Sequence, residues 1–438
     1  MNPTELQKHN KATLRRAELA KMKPISFAEV EAVFNKWMLI PDKGVIKFLC
    51  AFYFANKLSR KALWAILIGP SGGGKTELLN SLLCLPDIEE ISILTPSTFL
   101  SGMPGKGDAS LLPKLTGKIM MFKDWTTVLS MQRDAKAEIM SQLREIWDGR
   151  MKKIFGNGRI ATWEGKVSLL AASTQAVDLN QQQYTHLGER FVNYRVIMPE
   201  RKEVAMKSLE NDPQQENMAR ELQNAMYAFF KGFEFEEELK KLPPLEESLK
   251  IELVNLANFS TMARSGVIRD FGMKKDVIFV PAAEMPTRFT QQLSCLATGC
   301  MLANKGPLTD MDMKILYKVA LDSIPQTNKM VMNEMARADN QTTAEIATAL
   351  GYPTEPIKIY LENLALLKVC RRIKDSGRAD RWTMNEEFSD IVRNYEHIEQ
   401  LTDEEIRLRK EDAAAEVEDA NAPSDGWDSF TDLPVQTT

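Results

Sequence analysis

The sequence is poor in the residues that bind transition metals and form disulfides. Its 438 residues include three histidines and five cysteines, and the cysteines (Cys50, Cys84, Cys295, Cys300 and Cys370) do not have the spacing of metal ligands. We therefore expect no zinc site; a pair built on Cys295 and Cys300 is the lesser alternative. The thiols are expected to pack as small apolar side chains in a reducing compartment.

Long hydrophobic runs are lacking as well. No stretch of eighteen consecutive apolar residues occurs, so no membrane-spanning helix and no membrane partner are expected. The first residues, MNPTELQKHNKATLRRAEL, do not contain the apolar centre of a secretory signal. Together these features favour a cytoplasmic protein.

Positive charge is slightly deficient overall, but acidic residues are unevenly distributed. The net charge is −4, whereas residues 401–438 alone carry eleven acidic and three basic residues. The preceding 400 residues are therefore weakly basic. An acidic terminus of this kind does not exclude a nucleic acid partner for the rest of the chain.

The distribution of apolar residues predicts five segments. From about residue 62, short apolar runs alternate with helical stretches, which is typical of an α/β domain with a mostly parallel sheet. Two helices are expected over residues 26–60. The predicted segments are an N-terminal helical part (1–60), an α/β core (61–200), a helical region (201–325), a helix-turn-helix-like unit (326–390) and an acidic, largely disordered tail (391–438).

The stretch WAILIGPSGGGKTELL combines an apolar strand, a glycine-rich loop and the start of a helix. It fits the pattern G-x-x-x-x-G-K-[ST], in which backbone amides surround a polyphosphate, the lysine contacts the β- and γ-phosphates and the hydroxyl binds Mg²⁺. This predicts an ATP site with Mg²⁺. The candidate nucleotide-binding residues are Gly69, Pro70, Ser71, Gly72, Gly73, Gly74, Lys75, Thr76 and Glu77.

A second metal ligand is expected at the end of the apolar run in KIMMFKDW. Ile119 to Phe122 form the predicted strand, and Asp124 follows its carboxyl end, where α/β sheets place ligands. Many ATPases carry a glutamate after this aspartate to polarise the attacking water, but Trp125 occupies that position here. Either Glu138 or Glu145 supplies the carboxylate, or hydrolysis is slow.

Two further groups are candidates for contact with the γ-phosphate. The run KVSLLAASTQ predicts a third core strand that ends next to Thr174. In LGERFVNYRV, Arg190 is flanked by apolar residues at the end of an expected helix. An arginine reaching a neighbouring subunit would stabilise charge on the transferred phosphoryl group; Arg195 is the second choice, and an ordinary ion pair is the alternative.

A basic hairpin is predicted just before the third core strand. In MKKIFGNGRI, the Asn157-Gly158 pair indicates a tight turn with positive φ at both central residues. Lys152, Lys153 and Arg159 surround this turn and are candidate contacts to the phosphates of a nucleic acid. A solvated basic turn is the alternative.

The segment QTTAEIATALGYPTEPIKIYLENLALLKVCRRIKDSGRADRWTMNEEF predicts helix, turn, longer helix and a two-stranded wing. Gly351 is expected to end the first helix and Thr354 to cap the second. This pattern resembles a winged helix-turn-helix domain, with duplex DNA contacts through the wing; docking to another protein is the alternative. The basic residues of the wing are Arg371, Arg372, Lys374, Arg378 and Arg381.

The motifs GPSGGGKT, FKDW, LLAAST and GERF, in this order and with a hairpin before the third strand, resemble the AAA+ ATPases. They are most similar to the pre-sensor hairpin branch, which includes the minichromosome maintenance helicases. The stretch PTRFTQQLSCLATGCMLANKGPLTDMDMKIL resembles the lid of that branch. Residues 62–388 also resemble ATPases of phages and mobile elements, in stretches such as SLLPKLTGK and QLREIWDG.

This resemblance implies an α/β AAA+ core with a helical lid and a winged helix, ATP with Mg²⁺ bound between subunits, and a ring that is expected to be hexameric. Arg288 corresponds to the lid arginine, and Arg190 to the arginine finger. The implied partner is single- or double-stranded DNA, with the hairpin in the central channel. The glutamate after Asp124 and an amino-terminal oligonucleotide-binding domain are missing from the pattern.

The resulting hypothesis is a DNA helicase or translocase in phage or mobile-element replication, located in the bacterial host cytoplasm if the protein is phage-encoded. The alternatives are an ATP-dependent helicase loader or initiator without translocation, and an ATP-gated DNA-binding regulator. The tail motif SDGWDSFTDLPVQ is either a docking site for a replication protein or a solvated terminus.

Overall fold

Five short parallel strands form the central sheet of the computed structural model, which describes residues 14–42, 44–101, 110–179, 189–270, 272, 275–374 and 379–396. The strands of this region are β1 (Trp64–Ile68), β2 (Ile88–Glu90), β3 (Ile119–Phe122), β4 (Arg150–Ile154), β5 (Ile160–Glu164), β6 (Ser168–Ser173) and β7 (Phe191–Arg195). Along the sheet the strand order is β2-β3-β6-β1-β7. Strands β4 and β5 form a separate antiparallel hairpin, which lies between β3 and β6 in the chain.

The apolar runs of the sequence form strands because helices cover both faces of this sheet. Strands β1, β3, β6 and β7 are buried at every position. The fold is thus a mixed α/β fold with a parallel sheet flanked by helices, as expected, and β3 has the predicted bounds. Ile68 is paired with Ser173 and Arg195, so the strands end together. We call this end the carboxyl edge and the opposite end the amino edge.

Helices make up most of the remaining described chain. Apart from helical residues at 14–20 and 176–179, those before β7 are α1 (Phe27–Trp37), α2 (Gly44–Lys57), α3 (Lys75–Asn80), α4 (Leu112–Leu115), α5 (Thr126–Leu129) and α6 (Arg133–Trp147). Those after it are α7 (Arg201–Asn211), α8 (Gln215–Lys231), α9 (Phe235–Lys241), α10 (Glu247–Ala263), α11 (Thr287–Asn304), α12 (Asp310–Asp322) and α13 (Gln326–Arg337). Among the described residues, no helix is long and apolar enough to cross a membrane.

The expected N-terminal helix pair is present as α1 and α2, and it packs into the same core as the later helices. Helix α2 lies against α11 at very short range, because a Cβ atom on Gly299 would come within 2.1 Å of the Ala51 carbonyl oxygen. One apolar cluster runs from Val30 in α1 to Val392 near the end of the described chain. The region 201–325 is mainly helical but contains a short hairpin, β8 (Ile268–Arg269) and β9 (Val277–Phe279).

The last described segment contains a small antiparallel sheet of order β10-β12-β11 and three helices. As predicted, the first helix ends at Gly351, which has a φ of 67°. The expected cap at Thr354 is wrong: Thr354 is the first helical residue, and Pro353 precedes it. Residues 375–378, which include the turn of the expected two-stranded wing, lie outside the described residues. The elements are β10 (Gln341–Thr342), α14 (Thr343–Leu350), α15 (Thr354–Leu366), β11 (Cys370–Ile373), β12 (Arg381–Met384) and α16 (Glu386–Glu396).

A buried charge cluster joins the sheet to these helices. The Asp322 carboxylate is fully buried and lies 3.2 Å from Lys318 Nζ and 2.8 Å from Lys329 Nζ. It also accepts the backbone N–H of Arg195 at 2.7 Å. Burial by itself raises the pKa of Asp322, but the positive charges of the two lysines hold it below its usual value. The carboxylate therefore remains ionised and fixes α12 and α13 against the end of β7.

We expect Asp322→Ala to destabilise the protein strongly, because it removes the buried counter-charge of Lys318 and Lys329 and the acceptor of the Arg195 backbone N–H. The loss in unfolding free energy should be about 3–5 kcal/mol, the usual cost of removing one partner of a buried ion pair. Urea unfolding followed by circular dichroism measures it. Asp310→Asn, an exposed change on the same helix, is the control and should cost less than about 0.5 kcal/mol. Equal stability of the two variants would contradict this role for Asp322.

Candidate functional site

The glycine-rich loop connects β1 to α3 at the carboxyl edge. Gly72 and Gly74 have φ values of +75° and +73°, in the left-handed region that favours glycine. At Gly73 a Cβ atom would lie 2.7 Å from the methyl group of Met198, so the flexible end of that side chain would have to shift. Pro70, Ser71 and Thr76 are exposed. The loop thus combines a backbone that only glycine adopts readily with polar groups that face solvent.

Lys75 lies folded over this loop. Its side chain is buried, and Nζ donates hydrogen bonds to the carbonyl oxygens of Gly69 at 2.8 Å and Pro70 at 2.6 Å. Burial lowers the pKa of Lys75, and the nearby negative charges of Asp124 and Glu77 oppose this shift. Two residues about fifty positions apart in the sequence, Lys75 and Asp124, are therefore close enough for their charges to interact.

Asp124 and Trp125 point in different directions. Asp124 is exposed, and its Oδ1 accepts the backbone N–H of Thr126 at 2.9 Å. The Trp125 side chain is only 1% exposed and packs beneath the sheet, with ring centroids 5.2 Å from Phe122 and 5.5 Å from Phe191. The position that holds a glutamate in many ATPases is thus directed into the core rather than toward the loop.

The two carboxylates considered as substitutes lie on α6. Glu138 Oε1 accepts a hydrogen bond from Gln142 at 3.0 Å and lies 3.3 Å from Lys153 Nζ. Glu145 is exposed farther along the helix. Glu138 is therefore engaged with the hairpin, and the assignment of either residue to catalysis stays a prediction.

Thr174 follows β6 directly and reaches the carboxyl edge beside β1. Its Oγ1 accepts the backbone N–H of Ala176 at 3.4 Å, which caps the short helical turn at residues 176–179. The parallel strands therefore bring Lys75, Thr76, Asp124 and Thr174 to one edge of the sheet, as the sequence pattern predicted.

A cleft of about 470 Å³ adjoins the loop and was not predicted from the sequence. Its apolar wall comes from three separate segments: the end of α1, the stretch after β7, and helices α7 and α8. No motif marks them, because each contributes only a few residues to a surface that exists only after folding. The principal apolar lining residues are Trp37, Met38, Leu39, Met198, Val204 and Met218.

Arg190 lies at the amino edge, immediately before β7. Its Nη2 is 3.7 Å from the Asp148 carboxylate, and its guanidinium lies 5.6 Å from the Trp147 ring centroid. Burial lowers the pKa of Arg190, and the adjacent positive charge of Arg288 lowers it further. Arg288 itself pairs with Glu284 at 3.1 Å. The helix expected before Arg190 lies outside the described residues.

Arg190 and Arg288 therefore lie at the amino edge, whereas the glycine-rich loop lies at the carboxyl edge, at the other end of the strands. A five-residue strand is about 16 Å long, so neither arginine reaches the loop of its own chain. Arg195, the second choice for the finger, is buried and donates to both Asp178 carboxylate oxygens, at 2.9 and 2.5 Å. Because the Arg195 side chain is bound to Asp178 of its own chain, it is not available to act as an arginine finger on a neighbouring subunit.

The predicted hairpin is present, but its loop is longer than the expected two-residue turn. Residues 155–159 form it: the Phe155 N–H donates to the Arg159 carbonyl at 2.9 Å, and the Gly158 N–H donates to the Phe155 carbonyl. Gly158 has a φ of +80°, whereas Asn157 is not in the positive-φ region. A single left-handed glycine is enough for this wider loop.

The basic side chains of the hairpin lie on different faces. Lys152 is exposed, opposite Thr162. Lys153 faces inward, where Nζ donates to the Pro96 carbonyl at 2.8 Å, and Arg159 is half-buried. Trp163 is buried and donates from Nε1 to Thr116 Oγ1 at 2.9 Å, so it anchors the hairpin.

The basic residues around β11 also differ in availability. Arg371 and Lys374 are exposed, and Arg371 donates from Nε to Asn385 Oδ1 at 2.9 Å. Arg372 pairs with Asp380 and lies 3.7 Å from Glu362. Arg381 donates to the Asn340 carbonyl. Arg378 lies outside the described residues.

No protein-family model matches this chain, and no curated protein matches it significantly. The functional assignment therefore depends on the chemistry of the site. Three features matter: a glycine-rich loop with exposed polar groups, an acidic residue near its lysine, and a pair of arginines at the opposite edge of the sheet.

We expect Trp125→Glu to destabilise the protein instead of creating a catalytic carboxylate. The change removes an aromatic ring from the core and directs a charge into it, at a cost of at least about 3 kcal/mol. Trp125→Phe is the matched control and should cost about 1 kcal/mol. Urea unfolding compares the two variants. A stably folded Trp125→Glu protein would show that this side chain is not held in the core.

Proposed function

We propose that this protein is a ring-forming, DNA-dependent ATPase whose active site is completed by a neighbouring subunit. The observation that carries the proposal is the division of the candidate groups between the two edges of the sheet. Lys75, Asp124 and Thr174 are at the carboxyl edge, whereas Arg190 and Arg288 are at the amino edge. Groups so arranged meet around one ligand only if a second copy supplies the arginines.

The carboxyl edge fits Mg²⁺-ATP. The backbone amides of residues 69–74 would surround the phosphates, and Lys75 would exchange its two carbonyl partners for phosphate oxygens. The Thr76 hydroxyl and the Asp124 carboxylate would hold Mg²⁺, which prefers oxygen ligands. Both are exposed, and Asp124 is close enough to act on the Lys75 charge. The adjoining cleft has the size and apolar wall that a nucleobase requires.

Because the candidate groups are divided between the two edges of the sheet, the proposal implies a head-to-tail contact between subunits. One subunit would present its carboxyl edge to the amino edge of the next, and such heterologous contacts close into rings when the rotation permits. Arg190 and Arg288 would both act on the neighbour's phosphates. We propose a hexamer, as the AAA+ resemblance implies.

The finer fold assignments belong to the same proposal. The helical region α7–α12, which carries Arg288, would be the AAA+ lid, and the segment α14–β12 would be a winged helix. Within that segment, Arg371 and Lys374 are exposed and suited to phosphate contacts on DNA. Docking of the acidic tail to a replication protein concerns residues outside the described part of the chain.

Two observations favour different uses of ATP. Lys152 on the exposed face of the hairpin favours translocation along a strand, as in a phage or mobile-element helicase. The burial of Trp125 favours the second candidate, a helicase loader or initiator that binds ATP and assembles without rapid turnover. An ATP-gated DNA-binding regulator has the same chemistry and differs in lacking a motor role.

The test of the shared site is ATP turnover by Lys75→Ala, by Arg190→Ala and by their mixture, with and without single-stranded DNA. Each variant alone should be at least about 10³-fold slower than the wild type, because it lacks one essential group at every interface. In a random equimolar mixture, about a quarter of the head-to-tail interfaces contain both intact groups. The mixture should therefore recover about that fraction of the wild-type rate.

Full activity of Arg190→Ala would contradict the shared site, as would a mixture no faster than its components. Arg133→Ala, at the start of α6, is the control for a general effect of charge removal. Strong DNA stimulation of the wild type would favour the translocase, and nucleotide binding with negligible turnover would favour the loader.

We expect Lys152→Ala to weaken binding of single-stranded DNA and to lower the slope of log affinity against log salt by about one, the change for one lost phosphate contact. Lys153→Ala is the matched control, because Lys153 is engaged with Pro96 and Glu138. Fluorescence anisotropy at several salt concentrations measures both. Equal effects of the two substitutions would contradict the assignment of Lys152 to the DNA-facing surface.

A further inference from the structure

A second cleft, of about 500 Å³, opens at the amino edge and has no part in the proposed ATP site of its own chain. We call it the amino-edge cleft. It lies between the residues before β1, the end of α6 and the first turns of α11. Its volume is close to that of the cleft beside the phosphate loop. The lining residues that carry the argument are Arg60, Lys61, Leu63, Trp147, Gln292 and Cys295.

Two buried polar atoms in the lining have no partner among the described residues. They are Nε1 of Trp147 and Oε1 of Gln292, and both residues are only 3% exposed. The Gln292 amide is oriented by its other end, because Nε2 donates to the Arg190 carbonyl. An unpaired buried donor or acceptor is destabilising. Both atoms are closed to solvent, so a ligand reaches them only if a neighbouring side chain shifts; a ligand that then accepts from the indole and donates to the amide would satisfy both.

The rim of the amino-edge cleft is positive. Arg60 is exposed, with Nη1 3.4 Å from Ser294 Oγ, and Lys61 Nζ lies 4.7 Å from the Trp147 ring centroid. Asp148 is the acid nearest Lys61, at 3.9 Å. Ala62, Leu63 and Cys295 add apolar surface. The combination suits a flat polar ring that carries an anionic group.

We propose that the amino-edge cleft binds a nucleoside phosphate. The donor and acceptor groups on the edge of the base would pair with Trp147 and Gln292, and the phosphate would be held by Arg60 and Lys61, which are both exposed. A free nucleotide and a nucleotide unit of a single strand share this chemistry.

A ligand bound in the amino-edge cleft would also alter the surroundings of Arg190. The Arg190 guanidinium lies over the same Trp147 ring that Lys61 covers, and the Arg190 carbonyl accepts from Gln292. A ligand paired with Trp147 and Gln292 would therefore change the contacts that hold Arg190, the proposed arginine finger. This regulatory consequence, unlike the binding itself, depends on the proposed function.

The test is equilibrium binding of ATP, AMP and a single-stranded oligothymidylate to the full-length protein. The variants are Lys75→Ala, which removes the phosphate-loop site, and Arg60→Ala/Lys61→Ala. Lys118→Ala is the matched control, since Lys118 is another partly exposed lysine at the amino edge. We expect two ATP molecules per wild-type subunit and one in Lys75→Ala. In the Lys75→Ala background, the double substitution should weaken this remaining site at least about tenfold, as expected for a lost charge-assisted hydrogen bond.

The outcomes separate the two proposals. ATP binding at one site that Lys75→Ala abolishes, together with oligothymidylate affinity unaffected by Arg60→Ala/Lys61→Ala, would overturn the amino-edge site. ATP binding that survives Lys75→Ala unchanged and is lost in Arg60→Ala/Lys61→Ala would support the cleft and overturn the proposed ATPase site. In the Lys75→Ala background, AMP binding that Arg60→Ala/Lys61→Ala weakens identifies a free nucleotide as the ligand, whereas a tenfold loss confined to oligothymidylate identifies a strand.

Discussion

The buried carboxylate of Asp322 is the interaction on which the relation between the sheet and the later helices depends. It neutralises Lys318 and Lys329 and receives the backbone N–H of Arg195, the last residue of β7. Arg195 in turn binds Asp178, whose Oδ1 accepts the N–H of Gln326 at 3.3 Å. The turn after Thr174, the end of β7 and the start of α13 are thus held by one chain of charged contacts.

The parallel sheet imposes a second constraint, because it separates groups by the ends of its strands. Residues that follow strands collect at the carboxyl edge, where the phosphate loop lies, and residues that precede them collect at the amino edge. Arg190 precedes β7 and Arg288 acts on it electrostatically, so both belong to the amino edge. The amino-edge cleft lies beside the same residues. The two edges of the sheet therefore differ in chemistry.

Trp125 shows how packing and catalysis compete for one position. Its ring fills the layer beneath the sheet between Phe122 and Phe191, and that contribution to the core is incompatible with a carboxylate directed at ATP. The hairpin has a similar division of roles. Lys153 and Trp163 fasten it to the body of the domain, which leaves Lys152 on the outer face. In both places a residue that packs into the core is next to one that faces solvent.

The sequence by itself determined the local features: the phosphate loop, the strand before Asp124, the hairpin and the helix ending at Gly351. Each depends on contiguous residues whose backbone preferences and apolar pattern are sufficient. Only the tertiary structure decided which edge of the sheet holds Arg190 and Arg288, that Arg195 is buried with Asp178, and that Met38, Met198 and Met218 form one wall of a cleft. The strand order and the packing of distant helices create these contacts, and no short stretch of sequence encodes them.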